Sequence, residues 1–419
     1  MVKNMRKHLS FITVLFVALI DYMGIGLVYP LFASLLFDPE LSFLPPDSSH
    51  ALRGAVLGIL ISLAPLMQFF SAPILGVLSD QKGRRKILIF CLAIGVIGYF
   101  ISVLGVVYSS LTALLISRAV IGISGGSAAV VQAAIADFST KENKTKNFGL
   151  FNMMIGLGYT IGPFLGGKLA DPNFFGVGEY SLPFLFGLGA IFFNLLFVYW
   201  YFSETLKTIR PASVHWAMSL SNVKKAFSMK GVRILPLCAF IYSFGWSFFF
   251  EFIPVFLIGE YAFTPPEIGN FYAYAGLVYA ASCGFLIRPV IRKFSSESIL
   301  FTSLIVAGFL MLVFLWIEQP IFLLAYLPCL LFFIALVYPT MTAMVSNWAG
   351  EEKQGEILGI MQSVQSIAFA VSPLSSGTIV GLYITMPIIL GGNSMILAGL
   401  VFGAFLWLAS SVKSEKTNH

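Results

Sequence analysis

Residues 76–86 read GVLSDQKGRRK and stand between two long apolar runs. The block carries one acid, Asp80, between Gly76 and Gly83, and four basic residues, Lys82, Arg84, Arg85 and Lys86. Glycine at 83 permits a tight reversal, so the block reads as a short polar turn joining two helices. The flanking runs fix the class of those helices. The 419-residue chain is 58% hydrophobic and 11% charged, against roughly 25% charged for a soluble domain. Phe, Leu, Ile, Gly and Ala fill runs of about twenty residues, which at 1.5 Å per residue match a hydrocarbon core about 30 Å thick. Lipid leaves no partner for a free backbone N–H or C=O, so such runs must be helical. The expected fold class is an all-α, polytopic membrane protein.

Twelve apolar runs are expected to span, at about 9–36, 54–78, 87–108, 111–137, 148–170, 182–202, 233–258, 267–287, 298–317, 320–347, 357–383 and 386–410. Assigned to the intervening segments, 22 of the 25 Lys and Arg residues fall at the N-terminus, the C-terminus and alternate loops. The other side holds only Arg53 and Lys168, and Arg118 lies inside a run. The positive-inside rule therefore puts both termini in the cytoplasm. The net charge of +6 is accounted for by this asymmetry, so no nucleic-acid partner is expected. The first run is too long for a cleaved signal peptide, contains Asp21, and reaches Pro30 without a small-residue cleavage site. Cys91, Cys238, Cys283 and Cys329 have neither metal-site nor disulfide spacing and read as packing residues. No metal site is expected.

Residues 203–232 form the longest polar stretch between runs and separate two halves of six runs, 1–202 and 233–419. A shift of 210 places Gly149 on Gly359, Asn152 on Gln362, Pro163 on Pro373, Gly167 on Gly377 and Asp137 on Asn347. A shift of 208 places Gly76 on Gly284, Arg84 on Arg292 and Arg85 on Lys293, and Pro30 matches Pro254 if the first outer loop is longer. Several markers at one offset indicate an internal repeat. Parallel six-helix repeats are a recurrent transporter architecture, with the substrate site near the midplane between them.

These residues give the chain a family resemblance. GVLSDQKGRRK at 76–86 resembles the signature between spans 2 and 3 of the major facilitator superfamily, at Gly76, Asp80, Gly83, Arg84 and Arg85. SRAVIGISGG at 117–126 resembles its span-4 signature at Arg118 and Gly122. GLGYTIGPFLGG at 156–167 resembles the span-5 antiporter signature at Gly158, Gly162, Pro163, Gly166 and Gly167. Asp21 and Pro30 in LIDYMGIGLVYP resemble the span-1 signature of the drug:proton antiporter group that includes tetracycline exporters. The resemblance covers the whole chain. It departs in the second half, where Arg288 and Ile291 stand in place of the acid and the second glycine, and Ser372 and Ser376 replace two span-11 glycines.

The resemblance implies that Asp80 faces the start of span 11, and that Arg84 reaches Asp137. That cluster would latch the halves in the outward-open state and loosen in the inward-open one. The plainer alternative is a topology signal and helix connector. Asp21, about twelve residues into span 1, is the first candidate for proton coupling, since an ionisable group at that depth usually faces a cavity. Its alternatives are a counter-ion for a cationic or metal-chelated substrate, or an interhelical hydrogen bond. Arg118 needs an acidic or carbonyl partner, and the resemblance gives it a part in proton coupling, with an inert interhelical salt bridge as the alternative. Glu251 is either a second proton site or an acid snorkelling to the outer boundary. Gly158, Gly162 and Gly166 recur every four residues and share one face, while Pro163 removes a hydrogen bond and bends the helix. They are expected to form a tight, kinked seam between the halves. Gln132, Asn152, Tyr242, Gln362 and Gln365 are candidates for substrate binding beside Asp21, among abundant aromatics.

No G-x-x-x-x-G-K-[ST] loop occurs and no polar segment is large enough for an ATPase. No enzymatic activity and no cofactor beyond a proton gradient are expected. The leading expectation is export of small organic compounds across a bacterial inner membrane by a monomer, with protons and the bilayer as the other partners. An uptake symporter of the same fold, for a sugar, amino acid or siderophore, is the alternative, and the span-5 motif argues against it. A non-transporting membrane sensor is the remote one.

Overall fold

The computed structural model describes residues 2–37, 43–139, 144–171, 173, 180, 181–206, 215, 217–228, 233–380 and 383–417. Every regular element among them is helical: α1 Val2–Leu27, α2 Tyr29–Phe37, α3 His50–Lys82, α4 Arg84–Val107, α5 Leu111–Ser124, α6 Ser127–Phe138, α7 Lys144–Leu169 and α8 Leu182–Tyr201, followed by α9 Met218–Ser228, α10 Ile234–Tyr261, α11 Pro265–Ala281, α12 Ile287–Lys293, α13 Ser296–Val313, α14 Ile321–Val380 and α15 Met386–Thr417. Short polar side chains set the starts. Ser49 accepts from Leu52 N at 3.2 Å and Ser110 from Ala113 N at 3.3 Å, while Thr264 and Glu267 form a capping box at α11. Gly83, with φ 98°, makes the α3–α4 reversal, a conformation that glycine adopts without strain.

Eleven helices among the described residues are long and apolar enough to cross a membrane. Three expected spans and one connection differ in detail. Span 1 divides at Val28, because Pro30 has no N–H to continue the ladder; Leu31 and Phe32 N both donate to Val28 O instead. Span 4 breaks at Gly125–Gly126 into α5 and α6, where two poor helix formers meet. Span 8 is the 17-residue α11, which runs through a wider π turn at Ser282–Leu286 into α12. The expected spans 10 and 11 stop at about 347 and resume at about 357, yet the backbone of α14 is helical over all 60 residues. The connecting stretch AGEEKQGEI at 349–357 is rich in helix formers. Side chains at 346–360, and that of Arg288, lie outside the described residues.

The halves meet along two seams that the repeat relates. On one, Gly167 of α7 faces Pro265 and Gly269 of α11; on the other, Gly377 of α14 faces Gly54 and Gly58 of α3. Both seams lie at the end opposite the Lys82–Lys86 turn, the far end as against the basic end. A Cβ at Gly58 would lie 2.9 Å from Gly377 Cα, so the backbones touch. Toward the basic end α9 stands between α3 and α14. Ser219 Oγ donates to Phe69 O at 2.5 Å and Asn222 Nδ2 to Ser363 Oγ at 3.3 Å. Phe69 is eleven residues along α3 from Gly58, about 16 Å. Within the expected central segment 203–232, residues 207–214, 216 and 229–232 lie outside the described residues. Its described part therefore includes a packed helix, with Ser219 and Ala226 buried, rather than only a polar connection.

Candidate functional site

At the basic end the turn builds a charged cluster. Arg84, 6% exposed, pairs with Asp80 Oδ1 at 2.5 Å one turn earlier and with Asp137 Oδ2 at 3.2 Å at the end of α6. It also donates to Ser79 Oγ at 2.6 Å. One guanidinium thus ties the end of span 2 to the end of span 4 through its fork of donors. Arg85 donates to Tyr199 O at 2.5 Å and lies over the Tyr199 ring. Two participants escape a reading of the sequence. Glu204, just past α8, accepts from Arg84 N at 2.9 Å and Arg85 N at 3.2 Å, capping the first turn of α4. Thr205 Oγ1 donates to Asp137 Oδ2 at 3.0 Å. The signal available was an isolated acid two residues after Phe202, the last apolar residue of span 6. Gly83 leaves room for Glu204, since a Cβ there would meet its carboxylate, and Gly76 has only an ordinary contact with Ala129. The facing side chains expected for Asp80 at the start of span 11 lie outside the described residues.

Deeper in, Asp21 Oδ2 accepts a hydrogen bond from Ser127 Oγ at 2.6 Å. Ser127 is the first residue of α6, and at the turn before it Ala128 N donates to Gly125 O at 3.2 Å. Span 2 adds to these bonds: Gln68 Nε2 donates to Gly125 O at 3.0 Å and Ser71 Oγ to Gly122 O at 3.4 Å. Arg118 is buried, donates from Nε to Leu60 O at 3.1 Å, and lies 5.4 Å from the Phe32 ring centroid. Its direct partners are a carbonyl and a ring; both ion pairs among the described residues are at the basic end.

Glu251 is 3% exposed and its Oε2 has no hydrogen-bond partner. The snorkelling alternative is thereby corrected: α10 is packed on α14 and α15, which places the Glu251 face inside the molecule rather than at its boundary. An aromatic cluster drawn from both halves links the sequence neighbours of the two acids. Tyr22, next to Asp21, has its ring 5.4 Å from Tyr159. Tyr159 is 6.2 Å from Phe250, the neighbour of Glu251. Tyr29, Tyr272 and Trp246 complete it at 5.5, 5.0 and 5.4 Å from Phe250. Tyr272 OH donates to Phe250 O at 2.5 Å. Sequence reasoning did not single out Tyr22, Tyr29, Tyr159 or Tyr272; their signal was tyrosine in place of phenylalanine at mid-span.

The span-5 glycines require a second correction. Gly158, Gly162 and Gly166 face Leu19, Tyr22, Met23, Gly26 and Leu27 of α1, in their own half. A period of four defines a face and says nothing of which helix meets it. On α7 the contact with α11 is made by Gly167, by the Pro163 carbonyl, which a Cβ at Gly269 would approach to 2.8 Å, and by Thr160, whose Cα a Cβ at Gly276 would approach to 3.1 Å.

The expected substrate residues divide between the halves. Gln132 on α6 is half-buried and Asn152 on α7 exposed, while Tyr242 on α10 is buried, Gln362 on α14 exposed and Gln365 half-buried. Among the described residues no hydrogen bond joins any two of them. No group of three or more His, Cys, Asp or Glu among those residues could hold a metal.

Two acids and an aromatic cluster placed between two repeated helical bundles are the arrangement of a secondary transporter. A sequence model of the Major Facilitator Superfamily matches residues 14–334 and 235–419, and the chain belongs to that family, one of transporters rather than enzymes. Among its relatives are drug-resistance proteins. It is 29% identical to the tetracycline resistance protein, class C, of Escherichia coli over 389 residues, covering 88% of this chain and 89% of the relative. It is 26% identical to the quinolone resistance protein NorA of Staphylococcus aureus (strain COL) over 393 residues, 91% and 92% of the two chains. The fold is that of a D-xylose-proton symporter, with TM-score 0.73 at 15% identity over 94% of this chain and 97% of the other. The human organic anion transporter MFSD10 matches with TM-score 0.69 at 21% identity over 94% and 99%. The chain is thus a multi-pass membrane transporter.

Proposed function

We propose that this protein exports small organic compounds of tetracycline or quinolone type across the bacterial inner membrane in exchange for protons. Twelve spans carry it, with both termini in the cytoplasm, and it works as a monomer without a cofactor. The observation that carries the reading is the pair of membrane-embedded acids, Asp21 and Glu251, set one in each half at either end of a shared aromatic cluster. Flat, amphipathic ligands suit such a wall, and an acid beside it gives proton and substrate a common place to compete. Relatives named for resistance to tetracyclines and quinolones support the direction of transport. The proton gradient supplies the bias, about 2.3 kcal/mol per proton per 100 mV. The two seams support alternating access as the mode of transport: the halves touch at the far end, and substrate and proton are exchanged when the halves rock. The Asp80–Arg84–Asp137 cluster then braces the N-terminal half at the basic end as the halves come together there.

The test is tetracycline and norfloxacin flux in inside-out vesicles energised by an inward-acid gradient. Wild type accumulates a compound and consumes the gradient, and Asp21→Asn does neither although it inserts normally. Gradient-driven movement toward the cytoplasm, or unaltered flux in Asp21→Asn, overturns the reading.

A further inference from the structure

We propose that Ser127 is a positioning residue for Asp21, and that the break in span 4 serves to present it; this rests on the proton-antiport reading. In an unbroken helix a serine hydroxyl usually bonds back to the carbonyl one turn earlier. Ser127, fully buried, instead donates to Asp21 Oδ2 at 2.6 Å. Its freedom to do so comes from the Gly125–Gly126 turn.

That turn is held from outside. Gln68 and Ser71 of α3 take the carbonyls of Gly125 and Gly122. A Cβ at Gly126 would lie 2.5 Å from Leu75 Cδ1, 2.7 Å from Ser71 Oγ and 3.1 Å from the Ser71 carbonyl carbon, so span 4 is seated closely against span 2. Gln68 and Ser71 thus share one effect, to hold span 4 interrupted at the level of Asp21.

A hydrogen bond to an ionised carboxylate is roughly twice as strong as one to a neutral group. Protonation of Asp21 therefore loosens the tie between α1 and α6. The other face of α1 is the seat of the α7 glycines Gly158, Gly162 and Gly166, and α7 carries Gly167, the seam to the other half. The proton site is then one helix away from the seam. The Ser127–Asp21 bond is the contact through which the proton acts on it.

The experiment uses the full chain in proteoliposomes with tetracycline as the probe. It compares gradient-driven flux with tetracycline–tetracycline exchange at equal pH. Ser127→Ala lowers driven flux about tenfold, ~1.4 kcal/mol on the barrier, and leaves exchange within about twofold. Ser127→Thr, which keeps the hydroxyl, restores driven flux, and Asp21→Asn/Ser127→Ala is no worse than Asp21→Asn alone. Two results overturn the inference alone: full driven flux in Ser127→Ala where Asp21→Asn has none, or equal loss of flux and exchange that Ser127→Thr does not restore. Driven flux retained by Asp21→Asn overturns the antiport role of Asp21 and this inference together.

Discussion

Two glycines five residues apart on α7 should respond to alanine in different ways. At Gly162 a new methyl meets the backbone of α1, with Leu27 N at 3.0 Å and Gly26 Cα at 3.1 Å. At Gly167 it meets the backbone of α11, with the Pro265 carbonyl carbon at 3.1 Å and Gly269 Cα at 3.2 Å. No rotamer relieves either clash, because the atoms met are main chain, and the helices must part by something like 1 Å to restore ordinary contact. Overpacking of this kind costs about 1–3 kcal/mol. For Gly162→Ala the cost falls inside one half, is borne in every state, and lowers thermal stability. For Gly167→Ala it falls only where the far end is closed, so it moves the conformational equilibrium toward the far-end-open state by about 5- to 150-fold.

Spin labels at Tyr108 and Trp316, exposed just past the far ends of α4 and α13, read that equilibrium by pulsed dipolar distances, with the four native cysteines replaced. Gly167→Ala should add a longer distance population that Gly162→Ala lacks. The same longer population from both variants would refute the assignment of Gly162 to the α1 contact and Gly167 to the seam between the halves.

Other outcomes follow from the same geometry. Glu204→Ala removes the acceptor for Arg84 N and Arg85 N and should lower stability by about 1 kcal/mol as a lost helix cap, read as a drop in melting temperature in detergent. Asp80→Asn, keeping shape but not charge, should abolish transport with insertion intact, by vesicle flux and fluorescence size exclusion. Asn222→Cys with Ser363→Cys, whose native side chains touch at 3.3 Å, should cross-link under mild oxidation and stop turnover until reduced. Glu251→Gln should keep the fold and lose gradient-driven flux while retaining exchange.

The membrane class, the repeat and the basic-end turn were legible because they rest on local facts: runs of apolar residues, alternating positive charge, and one offset that aligns two halves. Asp21, Arg118 and Glu251 stood out for a similar reason, since an ionisable group within an apolar run is conspicuous by itself. Their partners were not legible. Ser127 is one small polar residue among many until α6 is seen to bring it within 2.6 Å of a carboxylate 106 positions away. Glu204 lies 120 residues from the backbone N–H that it caps.

The apolar runs flanking GVLSDQKGRRK decided the class of fold, and the block's charge and glycines decided the turn between them, all acting within a few residues of themselves. What it ties together was decided only by tertiary packing, because α4, α6 and the end of α8 had to converge before Arg84 could meet Asp137 and Glu204 could reach the turn. The span-5 glycines mark the same boundary. Their spacing specifies a smooth helix face through the 3.6-residue period. That three of them turn to α1 while Gly167 alone meets α11 depends on how two bundles dock, and no periodicity within one helix encodes that.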